Sequence, residues 1–129
     1  KALLDDLSAV VYQDVEAGSG QAIEKGDKVE IKYSGHLVTD GKVGKMFDSN
    51  LTSKESFRFL VGEGKVVKGM DDGIIGMKKK GRRVIVIPSQ FGYKEKAIGD
   101  SIPPNSTLVF QVCRLGILHV VALTNFDVD

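Results

Sequence analysis

The sequence predicts an α+β domain in which an antiparallel β-sheet covers one short helix. Four or five segments alternate apolar and polar residues, as half-buried strands do, and only one segment shows helical spacing. Glycine-rich turns separate the segments, and strands do not alternate with helices along the chain. This order argues against a parallel sheet and favours antiparallel pairing.

The size and the charge of the chain limit its domain count and its partners. With 129 residues, 42% of them hydrophobic, the chain has enough apolar side chains for one core and one domain. Lys and Arg number 18 against 17 Asp and Glu, so a net charge of +1 creates no field that would attract nucleic acid or an anionic membrane. No apolar run is as long as a membrane span. We therefore expect a monomer with neither a nucleic-acid partner nor a membrane span.

The single cysteine indicates a reducing compartment. Cys113 cannot form an internal disulfide, and its place in an alternating apolar strand predicts a packed thiol. The cytoplasm or the nucleus is therefore the expected location. Because the chain begins with Lys1 rather than Met, we expect it to be part of a longer protein. Residues 1–11 are predicted to be an N-terminal extension or linker, 12–116 the folded domain and 117–129 a C-terminal extension.

The first strand follows a start that the sequence leaves ambiguous. Apolar residues from Leu3 to Val11 recur at helical spacing without a preceding cap, so a helix, a strand and a linker all stay open. From residue 28 to 33 apolar and charged residues alternate, which predicts a strand with a buried face and a wet face that includes Lys32. We expect this strand to end at Gly35.

Two further strands are predicted after a polar hairpin. The hairpin turns around Asp40-Gly41, and extended structure resumes over residues 45–49, where Asp48 favours an abrupt turn. A second alternating segment covers residues 56–61, and its two phenylalanines share one face. Each segment therefore contributes a strand with one apolar side.

The one helix is predicted over residues 66–75. Val67, Met70 and either Ile74 or Ile75 share a face there, at i, i+3 and i+7 or i+8. The GEGK segment that starts at residue 62 lacks the spacing of a phosphate-binding loop. It is interpreted as a glycine turn into the helix, and nucleotide binding is not expected.

The second half of the chain combines a basic turn, two strands and an unusual loop. The basic turn over residues 76–83 is compatible with contact to acidic protein, phosphates or a nuclear importer. A solvated hairpin is favoured, because no aromatic residue among its charges offers a stacking surface for bases. Residues 84–87 are a β-branched run that predicts an interior strand, residues 108–113 alternate as the last firm strand, and residues 118–123 are a candidate for another. The stretch over 88–112 holds aromatic and apolar residues that a solvated connector would lack. We interpret it as the wall of an apolar site.

Seven short motifs stand in order along the chain: KYSG at residue 32, KMFDS at 45, FRF with a following Gly62 at 57, VVKG at 66, GIIGM at 73, FGY at 91 and IPPNSTLVF at 102. From about Tyr12 to Leu115, the chain resembles the FKBP-type peptidyl-prolyl isomerases. Several motifs in family order make the resemblance specific.

The resemblance implies a curved antiparallel sheet of about five or six strands wrapped around one short helix. It also implies peptidyl-prolyl cis-trans isomerase activity, by non-covalent binding and desolvation of X-Pro bonds in an apolar pocket, without a cofactor or a metal. The implied partners are proline-containing peptides or proteins and rapamycin-like macrolides. The implied catalytic residues are Tyr33, Asp48, Tyr93 and Phe110, and the implied substrate-binding residues are Phe47, Phe57, Val66, Val67, Met70, Ile98 and Ile102.

The chemistry of isomerisation makes this residue set intelligible. Rotation about an X-Pro bond meets a barrier of about 18–20 kcal/mol, because the planar imide keeps its resonance and water strengthens that resonance. An apolar socket removes the water, while the Val67 N–H and the Tyr93 hydroxyl are placed to bind substrate carbonyls. Asp48 either orients Tyr33 or caps its own turn through Ser49, and the two roles are compatible.

Met70 marks a departure from the family. Family members usually carry Trp at this helix position, and Met offers no indole face under a proline ring. We therefore expect weaker macrolide binding. Two hypotheses follow: an active isomerase, which Asp48, Tyr93 and Phe110 favour, and a low-activity binding module for proline-containing partners or macrolides, which Met70 favours.

Overall fold

The computed structural model describes residues 4 and 7–115 of the chain. This part contains six strands that form one antiparallel sheet, together with one short α-helix, so the predicted α+β class is confirmed. In chain order the elements are β1 (Val11–Glu16), β2 (Lys28–Thr39), β3 (Lys42–Ser49), β4 (Phe57–Leu60), α1 (Lys68–Gly73), β5 (Arg82–Ile87), a 3-10 turn (Ser89–Phe91) and β6 (Leu108–Arg114).

Strand β2 is the element that most of the sheet is built on. The strand order is β1-β5-β6-β2-β3, and β4 also pairs with β2. On one edge β2 pairs with β6, and its other edge is shared by β4 near the start of β2 and β3 near its end. The prediction that this strand ends at Gly35 is wrong. Gly35 pairs with Phe110 on one side and Asp48 on the other, so the ladder continues through it.

Separate predictions were made for residues 3–11, for a hairpin at Asp40-Gly41 and for residues 118–123. Of the alternatives left open for residues 3–11, the structure shows a strand from Val11 onward, paired with β5. The hairpin at Asp40-Gly41 is confirmed, since both residues adopt the positive φ values of a two-residue turn, 53° and 74°. The candidate strand over residues 118–123 lies outside the described residues. No helix in the described part of the chain is long and apolar enough to cross a membrane.

Helix α1 is shorter than the predicted 66–75, and it lies very close to β5. Two glycines four residues apart, Gly69 and Gly73, face the sheet. A Cβ atom at Gly69 would lie 2.4 Å from Cγ2 of Ile87, and one at Gly73 would lie 2.7 Å from Cγ2 of Ile85. Only glycine permits this separation of helix and strand, which brings Met70 into the core.

The sheet carries apolar residues on both faces of β5 and β6. On the inner face, Ile85, Ile87 and Phe110 belong to the core that packs against the helix. On the outer face, Val84 and Val86 belong to a second cluster. The β-branched run was predicted to form an interior strand, and this is confirmed because β5 lies between β1 and β6.

The prediction of a solvent-exposed face on β2 is wrong at Lys32. Its side chain is 1% exposed, because the loop after β3 folds over it. The Lys32 ammonium donates to the carbonyl oxygens of Asn50 at 3.1 Å and Glu55 at 3.0 Å, and also to that of Ser53. The Asn50 side chain in turn accepts the Tyr33 N–H at 2.7 Å. A charged side chain is thus buried at a point where three carbonyls satisfy its donors.

Arg83 corrects the interpretation of residues 76–83 as solvated throughout. Its side chain is 2% exposed. The guanidinium donates to both oxygens of Asp14, at 2.7 and 3.2 Å, and to the carbonyl oxygens of Gly73 and Ile75, both at 2.8 Å. It also lies 3.8 Å from the ring centroid of Tyr12. The end of helix α1 is thereby joined to the β1 and β5 strands.

A methyl group at Gly69 should destabilise the fold despite the better helix propensity of alanine. We expect Gly69→Ala to lower the free energy of unfolding by about 1–2 kcal/mol, because the clash with Ile87 exceeds the propensity gain. Urea unfolding of Gly69→Ala, Ile87→Ala and the double variant provides the measurement. The double variant should lose less stability than the sum of the single losses, and strict additivity would refute the close contact.

Loss of the Arg83 side chain should strongly reduce the stability of the fold, although substitutions in a basic surface segment are usually tolerated. Arg83→Met is expected to lower the free energy of unfolding by about 2–4 kcal/mol, because two carbonyls lose their donor. The matched control is Lys79→Met in the exposed part of the same segment, for which we expect a change within about 0.5 kcal/mol. Equal urea midpoints for the two variants would contradict this account.

Candidate functional site

A cavity of about 190 Å³ lies between helix α1 and the inner face of the sheet. Its walls come from β2, β4, β6, the turn before the helix and the loop after β5, so the tertiary fold is needed to assemble it. Most of its lining is apolar or aromatic, with one carboxylate and one ammonium at the rim. The lining residues are Ile31, Tyr33, Asp48, Phe57, Lys65, Val66, Val67, Met70, Tyr93 and Phe110.

The aromatic wall is held together by edge-on ring contacts. Tyr33 lies 6.2 Å from Phe57 and 6.1 Å from Phe110, measured between ring centroids. Phe110 also contacts Phe47 at 5.6 Å, with the rings at 87°. Such geometries are favourable for aromatic pairs because ring edges meet ring faces. They fix the ring planes that a ligand in the cavity would touch.

Gly35 leaves space for the contact between the Phe47 and Phe110 rings. A Cβ atom at this position would lie 2.7 Å from the Phe47 ring and 2.8 Å from the Phe110 ring. The register of β2 and β3 shifts here: Gly35 pairs with Asp48, while His36 pairs with Met46. The bulge leaves Phe47 as the extra residue, and a bulge of this kind redirects a side chain.

Asp48 accepts two hydrogen bonds at the rim. The Tyr33 hydroxyl donates to Oδ2 at 2.8 Å, and the Ser49 N–H donates to Oδ1 at 2.8 Å. Both contacts foreseen for Asp48, to the tyrosine and to the turn, are therefore present. Burial, followed by the hydrogen bond and the charge of Asp48, raises the pKa of Tyr33 well above its ordinary value. The Tyr33 hydroxyl stays protonated at neutral pH and remains a donor.

Tyr93 reaches the cavity from the loop after β5. Burial raises the pKa of its hydroxyl, and the nearby charge of Asp48 adds to the effect. Among the described residues no acceptor takes this hydroxyl proton, so it can donate to a ligand. The loop is held by backbone hydrogen bonds, from the Lys94 N–H to Ser89 at 3.0 Å and from the Asn105 N–H to Lys94 at 2.7 Å.

The start of helix α1 supplies the floor and a backbone donor. Met70 is 4% exposed and forms the floor. The Val67 N–H precedes the first helical turn, so no helical carbonyl accepts it. Asp71 holds the preceding turn in place, because its carboxylate accepts the N–H groups of Gly62 at 2.8 Å and Gly64 at 3.1 Å.

Of the eleven predicted site residues, eight line the cavity and three do not. Phe47 stands behind Phe110, and Ile102 is a buried core residue, 3% exposed. Ile98 is 38% exposed and pairs with Ile102 through a β-bridge. Any contact of these three residues with a substrate stays a prediction. Those that line the cavity are Tyr33, Asp48, Phe57, Val66, Val67, Met70, Tyr93 and Phe110.

Two lining residues were missed as site residues. Ile31 lies two positions before Tyr33 on the same face of β2, so strand periodicity carried a usable signal for it. Lys65 directly precedes Val66 and enters the lining from the glycine turn before the helix. In the part of the chain that the structure describes, no cluster of His, Cys, Asp and Glu is suited to bind a metal.

Comparison with known proteins agrees with this geometry. A family model described as FKBP-type peptidyl-prolyl cis-trans isomerase matches residues 19–113. The chain is 51% identical over 90 residues to FK506-binding protein 5 of Dictyostelium discoideum, with 70% of the chain covered but only 6% of that much longer relative. It is 38% identical to FK506-binding protein 1A of Neurospora crassa, with 91% of the chain and 92% of the relative covered.

The fold is likewise similar to a solved structure. The crystal structure of AtFKBP13 matches 83% of the chain with a TM-score of 0.71 and 31% sequence identity, and the match covers 91% of that structure. The family model, the sequence relatives and the similar fold all indicate the same family. The chain belongs to the FKBP-type peptidyl-prolyl cis-trans isomerase family.

Proposed function

We propose that this domain catalyses the cis-trans isomerisation of X-Pro bonds in peptides and proteins. The observation that carries the proposal is the cavity walled by Tyr33, Phe57 and Phe110, whose rim holds the Tyr33–Asp48 hydrogen bond. Membership of an isomerase family supports it. No step requires a nucleophile, because rotation about the X-Pro bond breaks no covalent bond.

Desolvation is the first contribution that the cavity makes. A planar X-Pro imide is stabilised when water hydrogen-bonds its carbonyl oxygen, since that bond favours the charge-separated resonance form. Transfer of the bond into an aromatic cavity removes the water and weakens this resonance. The twisted state, in which resonance is already lost, is destabilised less than the planar state. The barrier of about 18–20 kcal/mol therefore falls.

Fixed donors are the second contribution. Tyr93 and Val67 both line the cavity, and the Tyr93 hydroxyl and the Val67 N–H are the proposed donors for substrate carbonyls flanking the proline. Asp48 orients the Tyr33 hydroxyl, and its charge makes the rim polar. Donors held in place before binding need no reorganisation during rotation, which favours the twisted geometry over the planar one.

We also propose macrolide binding in the same cavity, with an affinity that Met70 limits. The relatives from D. discoideum and N. crassa are named for binding FK506. The floor of this cavity is a flexible thioether rather than an aromatic plane, so it offers less stacking surface. A location in the cytoplasm or nucleus is proposed on the basis of the buried free thiol of Cys113.

Removal of the Asp48 carboxylate should reduce turnover through the loss of one charge-assisted hydrogen bond. In a cis-to-trans relaxation assay with an X-Pro peptide, Asp48→Ala is expected to lower kcat/KM about tenfold. Tyr33→Phe removes the same bond from the donor side, so the double variant should lose little more than either single variant.

The matched control for Asp48 is Ser49→Ala. Ser49 accepts the Leu51 N–H within the same turn but does not line the cavity. If Asp48 served only the turn, both alanine variants would lose turnover equally. A wild-type relaxation rate equal to the uncatalysed rate would overturn the proposed function itself.

An aromatic floor should strengthen macrolide binding more than it changes catalysis. Met70→Trp is expected to raise the affinity for FK506 about three- to tenfold, the size of one aromatic contact, while kcat/KM changes little. Isothermal titration provides the affinity. Met70→Leu is the control for side-chain shape without a π-face and should show no gain. Equal affinities of both variants would mean that stacking at residue 70 is unimportant.

A further inference from the structure

A second cleft opens directly beside the cavity. It has a volume of about 430 Å³ and is lined by Phe57, Phe59 and Leu60 together with Lys28, Arg58 and Lys65. Phe57 and Lys65 line both the cleft and the cavity, so the two spaces lie side by side. A peptide chain that leaves the cavity on this side would therefore run into the cleft.

The apolar part of the cleft is a surface on which an extended chain can lie. Phe57 and Phe59 stack at 5.3 Å with an angle of 26° between their rings. Phe59 is buried, with 5% of its surface exposed, but Phe57 is 37% exposed and Leu60 42% exposed, although both belong to strand β4. Their exposure beside a ligand cavity is the arrangement expected of a binding surface rather than of a core.

The charged part of the cleft has one sign. Each of its charged lining residues is basic, and no acidic residue in the described part of the chain lines it. Arg58 is partly neutralised by Glu30, at 3.4 Å. Lys28 and Lys65 make no salt bridge within the described residues, so their charges are available to a ligand. Lys65 lines both the cleft and the cavity, and the cavity also contains Asp48 in its lining.

We propose that this cleft binds an acidic segment of the substrate that flanks the isomerised proline, and that Lys65 is the main determinant of this specificity. The inference rests on the proposed isomerase function, and it adds a substrate class. The cavity holds the proline, the exposed side chains of Phe57 and Leu60 contact the neighbouring residues, and the ammonium groups of Lys28 and Lys65 bind a Glu or Asp side chain. The occupant is thus a proline-containing segment with an acidic residue near the proline.

The test compares peptides that differ in one residue. Each peptide contains one X-Pro bond. It carries Glu, Gln or Lys at a single position, chosen from the four residues before the bond and the four residues after it. At one of these positions and at low salt, we expect kcat/KM for the Glu peptide to be about two- to fivefold higher than for the Gln peptide. This is the range expected for an exposed ion pair. The ratio should approach one at about 0.5 M NaCl, where the screening length is only a few ångströms.

Lysine variants assign the effect to the cleft. Lys28→Gln/Lys65→Gln should abolish the preference for Glu over Gln, and Lys65→Glu should replace it with a preference for the Lys peptide. Lys78→Gln/Lys79→Gln removes the same charge from an exposed turn outside the cleft and should leave the ratio unchanged. An unchanged ratio in the first double variant would overturn the assignment.

Binding measurements separate this inference from the proposed function. Fluorescence anisotropy with labelled Glu and Gln peptides reports affinity whether or not the bond is isomerised. If no peptide is isomerised but the Glu peptide binds more tightly in a manner that depends on Lys65, the function fails and the acidic specificity holds. If both peptides are isomerised equally and bind equally at every position, the function holds and the acidic specificity is wrong.

Discussion

The closeness of helix α1 to strand β5 is the constraint on which the cavity depends. Because Gly69 and Gly73 have no side chains, the helix backbone packs directly on Ile85 and Ile87. This contact sets the height of Met70 above the sheet, and with it the depth of the cavity. The Arg83 guanidinium holds the same helix from its end, through the carbonyls of Gly73 and Ile75. The floor of the site is therefore positioned by backbone packing rather than by its own side chain.

The aromatic wall of the cavity depends on β2 and on the side chains that pack against this strand. Gly35 leaves space for the Phe47 ring, which supports Phe110, and Asp48 lies beside the same glycine in the ladder. On the other face, Lys32 ties down the loop that follows Asp48. The wall is thus supported on both faces of one strand. A binding surface that is rigid before the ligand arrives loses less entropy on binding.

Much of the site was predictable because its motifs belong to a family pattern. The cavity-lining positions of Asp48, Val67 and Tyr93 follow from short motifs that keep their spacing, although spacing alone could not have shown that these residues meet. Periodicity predicted the strands and their apolar faces. It was wrong about Lys32, since alternation indicates which face a side chain points to but not whether a later loop covers that face. Arg83 is buried for a different reason, because strand β1 and the end of helix α1 bring Asp14 and two backbone carbonyls to its guanidinium.

The sequence by itself determined the class of the fold, the position of most strands along the chain and the family to which the chain belongs, because these follow from local periodicity, turn residues and motif spacing. Only the tertiary structure decided which residues enclose the cavity. It left Ile102 in the core and Phe47 behind Phe110, both outside the lining of the cavity, and it placed Lys65 in the lining of both the cavity and a basic cleft. The direction of a side chain in a turn depends on contacts with strands far away in the chain. No pattern of neighbouring residues specifies such contacts.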